Sequence, residues 1–417
     1  MRILDLTDGV ARKILAARTR SDVAAERVAA PIIASVRRGG DAALFRWARR
    51  LDGARLTPRT LWVSAADRRA ALQTVPRELR AAIEHAARNI RRVAEQQQPR
   101  PWSITVEPGV RVGQRVTPLD TIGCYIPGGR FSLVSTLLMT AVPAQVAGVR
   151  RIVVACPKAN PALLAAADLL DVTEIARIGG AQAVAALAYG TRSVPRVDKI
   201  FGPGNRYVTA AKRLVSADCA IDLLAGPTEV LVVATRGNAR YIAADLVAQA
   251  EHDGDAVALL VTTSRALARD VRESVAEQLS VLPPSNPAWK SLAATGAILV
   301  ARSLPAAVRF ANQFAPEHMS IPGGEAAVLR QLSVAGSVFV GPWSAQSIGD
   351  YASGTNHVLP TGGGAHSRGG LSAWDFVRCT SVQQLSQSGL RRLAPIVAAL
   401  ADAEGLTAHR RAVEVRE

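Results

Sequence analysis

The chain has 417 residues, 49% of them hydrophobic and 20% charged, and 50 Lys plus Arg against 34 Asp plus Glu give a formal net charge of +16. At roughly 150 residues per domain the length implies about two to three domains, and so apolar a composition excludes disorder as the main state. The basic excess is nearly all Arg and is concentrated in residues 1–150, which hold 25 basic and 12 acidic side chains; with only Phe45-Arg46-Trp47 placing aromatics beside it, solvated helix surface is expected rather than a nucleic-acid footprint.

Residues 1–20 carry Asp5 and Asp8 and lack the apolar core of a signal peptide. Helical spacing follows in SDVAAERVAAPIIASVRRGGDAALFRWARRLDG and in ADRRAALQTVPRELRAAIEHAARNIRRVAEQQQ. The first is expected to start at a Ser21 cap, with Gly39-Gly40 ending a segment as a helix stop, and Pro99 and Pro101 close the helical region. The uncharged run Phe131 to Val149 contains Ser132, Thr136, Thr140, Pro143 and Gln145, which suits a buried helix beside a polar site better than a membrane span.

Beyond it, β-branched runs alternate with Ala-rich helices. RIVVAC (151–156), KIFGPGN (199–205), EVLVVAT (229–235), AVALLVTTS (256–264), GAILVA (296–301) and GSVFVG (336–341) read as buried strands. Helices between strands imply right-handed crossovers and parallel sheets, one over about 123–228 and one over about 229–345. Residues 346–370 read as loop and 371–417 as helix. The fold expected is α/β, with two Rossmann-like domains, N-terminal helices and a helical C-terminal tail. Cys124, Cys156, Cys219 and Cys379 lie far apart with no CxxC, which suits a reducing cytoplasm.

Four histidines sit among acids, amides or glycines. In Gln249-Ala-Glu-His252 the i,i+3 spacing places Gln249 and His252 on one helix face, where they form either a weak pair of metal ligands or a polar helix end. Glu317-His318 is either an acid/base pair or a turn-stabilising pair in a connection. The segment Gly349 to Thr361, with Asp350 and His357, is either a built site or a solvated Gly-rich loop. Glu404 and His409 lie in the tail, where an isolated His is usually solvated. Tyr125-Ile-Pro-Gly-Gly129, Gly179-Gly-Ala-Gln182 and Gly202-Pro-Gly-Asn205 are short glycine turns able to hold phosphate, but no complete GxGxxG occurs.

Taken in order, YIPGG, GGAQAVAALAYGT, VDKIFGPGNRYV, IDLLAGPTEVLV, AADLVAQAEHD, FAPEHM, GDYASGTNHVLPT, LSAWDFVRCTSVQQLS and ADAEGLTAH closely resemble the histidinol dehydrogenase family. The resemblance implies a cytoplasmic enzyme that oxidises L-histidinol to L-histidine, consuming two NAD per turnover, with one Zn²⁺ per subunit. It implies zinc on Gln249, His252, Asp350 and His409, with the tail His409 supplied by the partner subunit of a homodimer. Glu317 and His318 match the catalytic pair. Thr228, Gln249, His252, His318, Asp350, His357, Glu404 and His409 match substrate contacts, and Tyr125, Gln182 and Asn205 match NAD contacts. The grouping expected is an arm (1–20), one α/β domain from 21–122 with 229–370, an NAD-side domain (123–228) and a swapped tail (371–417). Thr228 stands where the family usually has Ser, and Arg130-Phe131 follows Pro-Gly-Gly where small residues are more common. The alternative is therefore a paralogue acting on another polar alcohol, such as a sulfopropanediol dehydrogenase; Glu404 and His409 favour histidinol.

Overall fold

The structure, a computed structural model, describes residues 1–18, 22–128 and 133–417. The expected Ser21 cap, Gly129 and the Arg130-Phe131 pair lie outside the described residues. Fourteen strands are present among them: β1 (Arg2–Asp5), β2 (Trp102–Glu107), β3 (Val110–Pro118), β4 (Thr121–Tyr125), β5 (Arg151–Ala155), β6 (Glu174–Ala176), β7 (Lys199–Phe201), β8 (Ala220–Ile221), β9 (Glu229–Val233), β10 (Val257–Thr262), β11 (Ala297–Val300), β12 (His318–Ile321), β13 (Ser337–Val340) and β14 (Val377–Leu385).

Both expected parallel sheets form. One has the order β6-β5-β4-β7-β8 and the other β1-β11-β10-β9-β12-β13. Their central strands are buried on both faces, as in Val230–Val233 and Ala258–Val261, which is why they read as continuous apolar runs rather than as alternation. In each sheet the strand order reverses beside the first strand of the unit, at β4/β7 and at β9/β12. Such reversal points open a crevice at the carboxyl ends of the strands.

The helices before residue 100 pack differently from the expected grouping. Ile83, Ala86, Ile90 and Ala94 form the buried stripe of helix Arg77–Gln97, and Ile83 and Ile90 join Leu137, Leu164 and Phe201 in one core. Helix Val23–Asp52, capped by Asp22 and kinked at Gly40 where φ is +50°, adds Ala29, Val36 and Leu44 to Val153, Val184 and Ile200. Residues 22–97 thus cover the β4 sheet, not the β9 sheet. The arm is no free extension either: β1 pairs in parallel with β11, and Leu4, Val10 and Ile14 pack beside Leu231, Leu299 and Phe314.

A third sheet, β14-β3-β2, is antiparallel and corrects the expectation of helix throughout 371–417. Val377 to Leu385 pairs residue for residue with Pro118 back to Val110. The hairpin before it turns at Pro108-Gly109, where Gly109 has φ +80°. Helices Gln387–Ala403 and Thr407–Glu414 complete the tail. No helix among the described residues is long and apolar enough to cross a membrane.

Candidate active site

Four elements converge at the amino-terminal ends of β9 and β12. Ala315, in the left-handed region at φ +48°, ends helix Leu304–Phe314, and the chain passes directly into β12. Glu317 and His318 therefore stand at the mouth of a central strand and not in a loop connection. His318 pairs in register with Val230 of β9. Helix Ala239–Ala250 contributes Gln249 in its last turn, and His252 follows two residues after its end. Asp350 lies on a short helix, Gln346–Tyr351, where the sequence suggested loop.

The backbone of Glu229 orders Glu317 and His318. Its N–H donates to Glu317 Oε2 at 2.7 Å, and its carbonyl lies 3.1 Å from His318 Nδ1. With Nδ1–H donating there, Nε2 is the nitrogen that gains and loses the titrating proton; it is buried without a hydrogen-bond partner and lies 3.5 Å from Asp350 Oδ1. Glu317 Oε2 sits 3.6 Å from Nδ1. Burial by itself lowers the His318 pKa, but the Glu317 and Asp350 carboxylates outweigh it and raise it to about 10. Burial also pushes Asp350 upward, yet contact with His318 and the positive character of His318, His357 and His252 hold it below the ordinary carboxylate value. His357 is held below the usual imidazole value chiefly by burial. Its Nδ1 lies 3.1 Å from the Asp350 carbonyl and its Nε2 3.5 Å from Thr136 Oγ1.

Thr228, immediately before β9, bridges two site residues. Its hydroxyl donates to Glu317 Oε2 at 2.5 Å and accepts from Gln249 Nε2 at 2.5 Å. Gln249 is fully buried, and its Oε1 has no partner. His252 Nδ1 lies 3.1 Å from the Ala248 carbonyl, which leaves Nε2 as its ligating nitrogen. An unpartnered amide oxygen, a carboxylate and an imidazole make an N/O donor set that fits a divalent ion such as Zn²⁺. Among the described residues no group of three His, Cys, Asp or Glu could by itself hold a metal ion. Glu404 and His409, on the tail, are exposed.

Tyr125, Gln182 and Asn205 gather instead at the carboxyl ends of β4 and β7, beside the strand-order reversal. Tyr125 is buried, its hydroxyl accepting the Gly180 N–H at 3.0 Å, and burial pushes its pKa up to about 12, so it stays neutral. Gln182 donates to Asp52 at 2.9 Å while its buried Oε1 lacks a partner. Asn205 caps helix Arg206–Val215 through its side-chain oxygen. Gly202, at φ +105°, lies so close to β4 that a Cβ would meet the Tyr125 carbonyl at 2.2 Å. Only glycine can stand in so close an approach of the chain to β4. The two units are tied by Asn356 Nδ2 to the Met139 carbonyl at 2.7 Å and by the Gly226 N–H to Thr361 Oγ1 at 2.5 Å.

Sequence reading missed Glu229 and Arg18. Arg18 forms a two-pronged ion pair with the Glu229 carboxylate, at 2.8 Å for Nε to Oε1, so the arm anchors the residue whose backbone orders the site. The signal was a lone charge opening the otherwise apolar EVLVV, since a buried carboxylate demands a partner.

The chain is thus an α/β protein with a strand-order reversal in each parallel sheet and a histidine and carboxylate cluster at the amino-terminal ends of β9 and β12. A family model described as histidinol dehydrogenase matches residues 16–417. The chain is 46% identical over 392 residues to the histidinol dehydrogenase of Halalkalibacterium halodurans, covering 92% of each, and 44% identical to that of Syntrophotalea carbinolica, covering 100% of this chain and 99% of the relative. A histidinol dehydrogenase crystal structure from Elizabethkingia anophelis superposes with a TM-score of 0.94 at 35% identity, covering 100% of this chain and 98% of that one. The chain belongs to the histidinol dehydrogenase family.

Proposed function

We infer that the chain oxidises L-histidinol to L-histidine, the closing steps of histidine biosynthesis, in two NAD-dependent oxidations through L-histidinal. The observation that carries this reading is the His318 imidazole, fixed through Nδ1 with a free, buried Nε2 amid Glu317, Asp350 and Gln249. The sulfopropanediol-type alternative is not favoured, because the family model and the relatives described above are all histidinol dehydrogenases.

Gln249, His252, Asp350 and the partner subunit's His409 would hold Zn²⁺, which when bound orients the substrate's amine and imidazole nitrogens. Tyr125, Gln182 and Asn205 would hold NAD, the hydride acceptor in each oxidation. His318 Nε2 takes the proton of the alcohol in the first oxidation. Between the steps Glu317 helps activate water to hydrate the aldehyde, and His318 takes the proton of that hydrate in the second. The Glu317 and Asp350 charges favour the protonated imidazole, and a cation on Asp350 would offset the second of them and so favour the neutral ring that can act as base through Nε2. His357 and Glu404 complete the substrate contacts, Glu404 balancing the substrate ammonium.

The incomplete ligand set supports a homodimer that exchanges tails. So does the apolar surface on the ribbon and tail, where Trp102, Ile104, Val106, Val382, Ile396 and Leu400 are all at least half exposed. The cytoplasm is the compartment proposed. The test is NADH formation by zinc-loaded protein: two NADH per L-histidinol are expected, whereas turnover of sulfopropanediol without turnover of histidinol would overturn the reading.

A further inference from the structure

The Thr228 hydroxyl has one proton to give and it is already committed. Glu317 Oε2 accepts the Glu229 N–H at 2.7 Å, and the Thr228 hydroxyl donates to that same oxygen at 2.5 Å. What remains on the Thr228 oxygen is lone-pair density, which only a donor can meet. Gln249 meets it with its NH₂ end, at 2.5 Å. The orientation of the amide is thereby forced. Its Oε1 must point the other way, and there it is buried with no partner among protein groups.

We propose that Thr228 is a positioning residue that locks the Gln249 amide with its oxygen toward the metal. A reversed amide would present NH₂ hydrogens, which cannot ligate a cation. Threonine suits this task better than serine, because its branched Cβ narrows the choice of χ1 and so fixes the hydroxyl. The departure from the family's usual Ser at this position then stiffens the ligand's support and leaves the chemistry in place.

The proposal rests on the metal reading above, and the experiment separates the two. Full-length wild type, Thr228→Val, Thr228→Ala, Thr228→Ser and Gln249→Ala are each titrated with Zn²⁺ against a chromogenic chelator, with the visible spectrum of the Co²⁺ form as a second readout. Thr228→Val is expected to bind Zn²⁺ about 10–100-fold more weakly, the usual cost of removing a group that orients a ligand. Thr228→Ser should keep nearly the wild-type affinity and Co²⁺ spectrum. Thr228→Ala lacks the same hydroxyl and gives the answer should the valine variant not fold. Wild-type affinity in the Val and Ala variants, with loss in Gln249→Ala, overturns the role of Thr228 and leaves the metal site standing. Equal loss in the Ser and Val variants overturns it too, since the hydroxyl would not be the determinant. Failure of the wild type to bind Zn²⁺ removes the metal reading and the proposal together.

Discussion

His318 shows how a side chain's chemistry is set by the backbone around it. The Glu229 carbonyl fixes Nδ1–H, so whenever the ring is neutral its lone pair falls on Nε2. If Nε2 is the base, His318→Asn should lower kcat by a factor of roughly 10² to 10⁴ while leaving Zn²⁺ content unchanged. Near-normal turnover would remove His318 from that role. At this scale most of the candidate site was legible: Gln249 and His252 at helical spacing, the adjacent Glu317 and His318, and the polar stretch holding Asp350 and His357. The part played by Glu229 was not, because it acts through peptide N–H and C=O groups that every residue possesses.

Helix Ala239–Ala250 carries two layers of polar residues one turn apart. Gln249 faces the site, and Asp245 lies one turn earlier, where Ser320 of β12 is 3.5 Å from its carboxylate. Burial raises the Asp245 pKa from the ordinary 3.8 to about 6. The fold therefore keeps a proton that the unfolded chain releases, so this group's contribution to stability is full below about pH 4, falls between pH 4 and 6, and is absent above. Asp245→Asn, uncharged at every pH, should raise Tm at pH 7.5 by about 3 °C and flatten the decline between pH 4 and 6. Thermal unfolding across pH 4 to 8 checks this, and a lower Tm at pH 7.5 would contradict it. Elements with strong patterns were readable, including all six named strands and the long amphipathic helices. The ribbon was not. Val377–Leu385 is exposed along most of its length and has no buried face to impose alternation; what makes it a strand is a partner some 260 positions earlier in the chain.

At the scale of the molecule, the proposed zinc site draws on two chains. Gln249, His252 and Asp350 lie at one place, while Glu404 and His409 are exposed on the tail. If tails are exchanged, Gln249→Ala and His409→Ala proteins, each inactive alone, should regain activity when unfolded and refolded together. Half of the dimers would be mixed, each with one intact site, so activity should approach about a quarter of wild type. No recovery, with mixed dimers present, would show that each site is served by its own tail. Domain grouping was the least legible feature, because the stripe Ile83, Ala86, Ile90 and Ala94 announces a buried face without saying which sheet covers it.

The pairing of β1 with β11 also governs the order in which the molecule can be assembled. Arg2–Asp5 leaves the ribosome well before the strand it must join, which ends at Val300. At 5–20 residues per second the first strand is complete roughly 15 to 60 s before its partner exists. During that interval it is an unpaired edge, open to other nascent chains. Its brevity, and the opposite charges Arg2 and Asp5 at its two ends, make it a poor template for them.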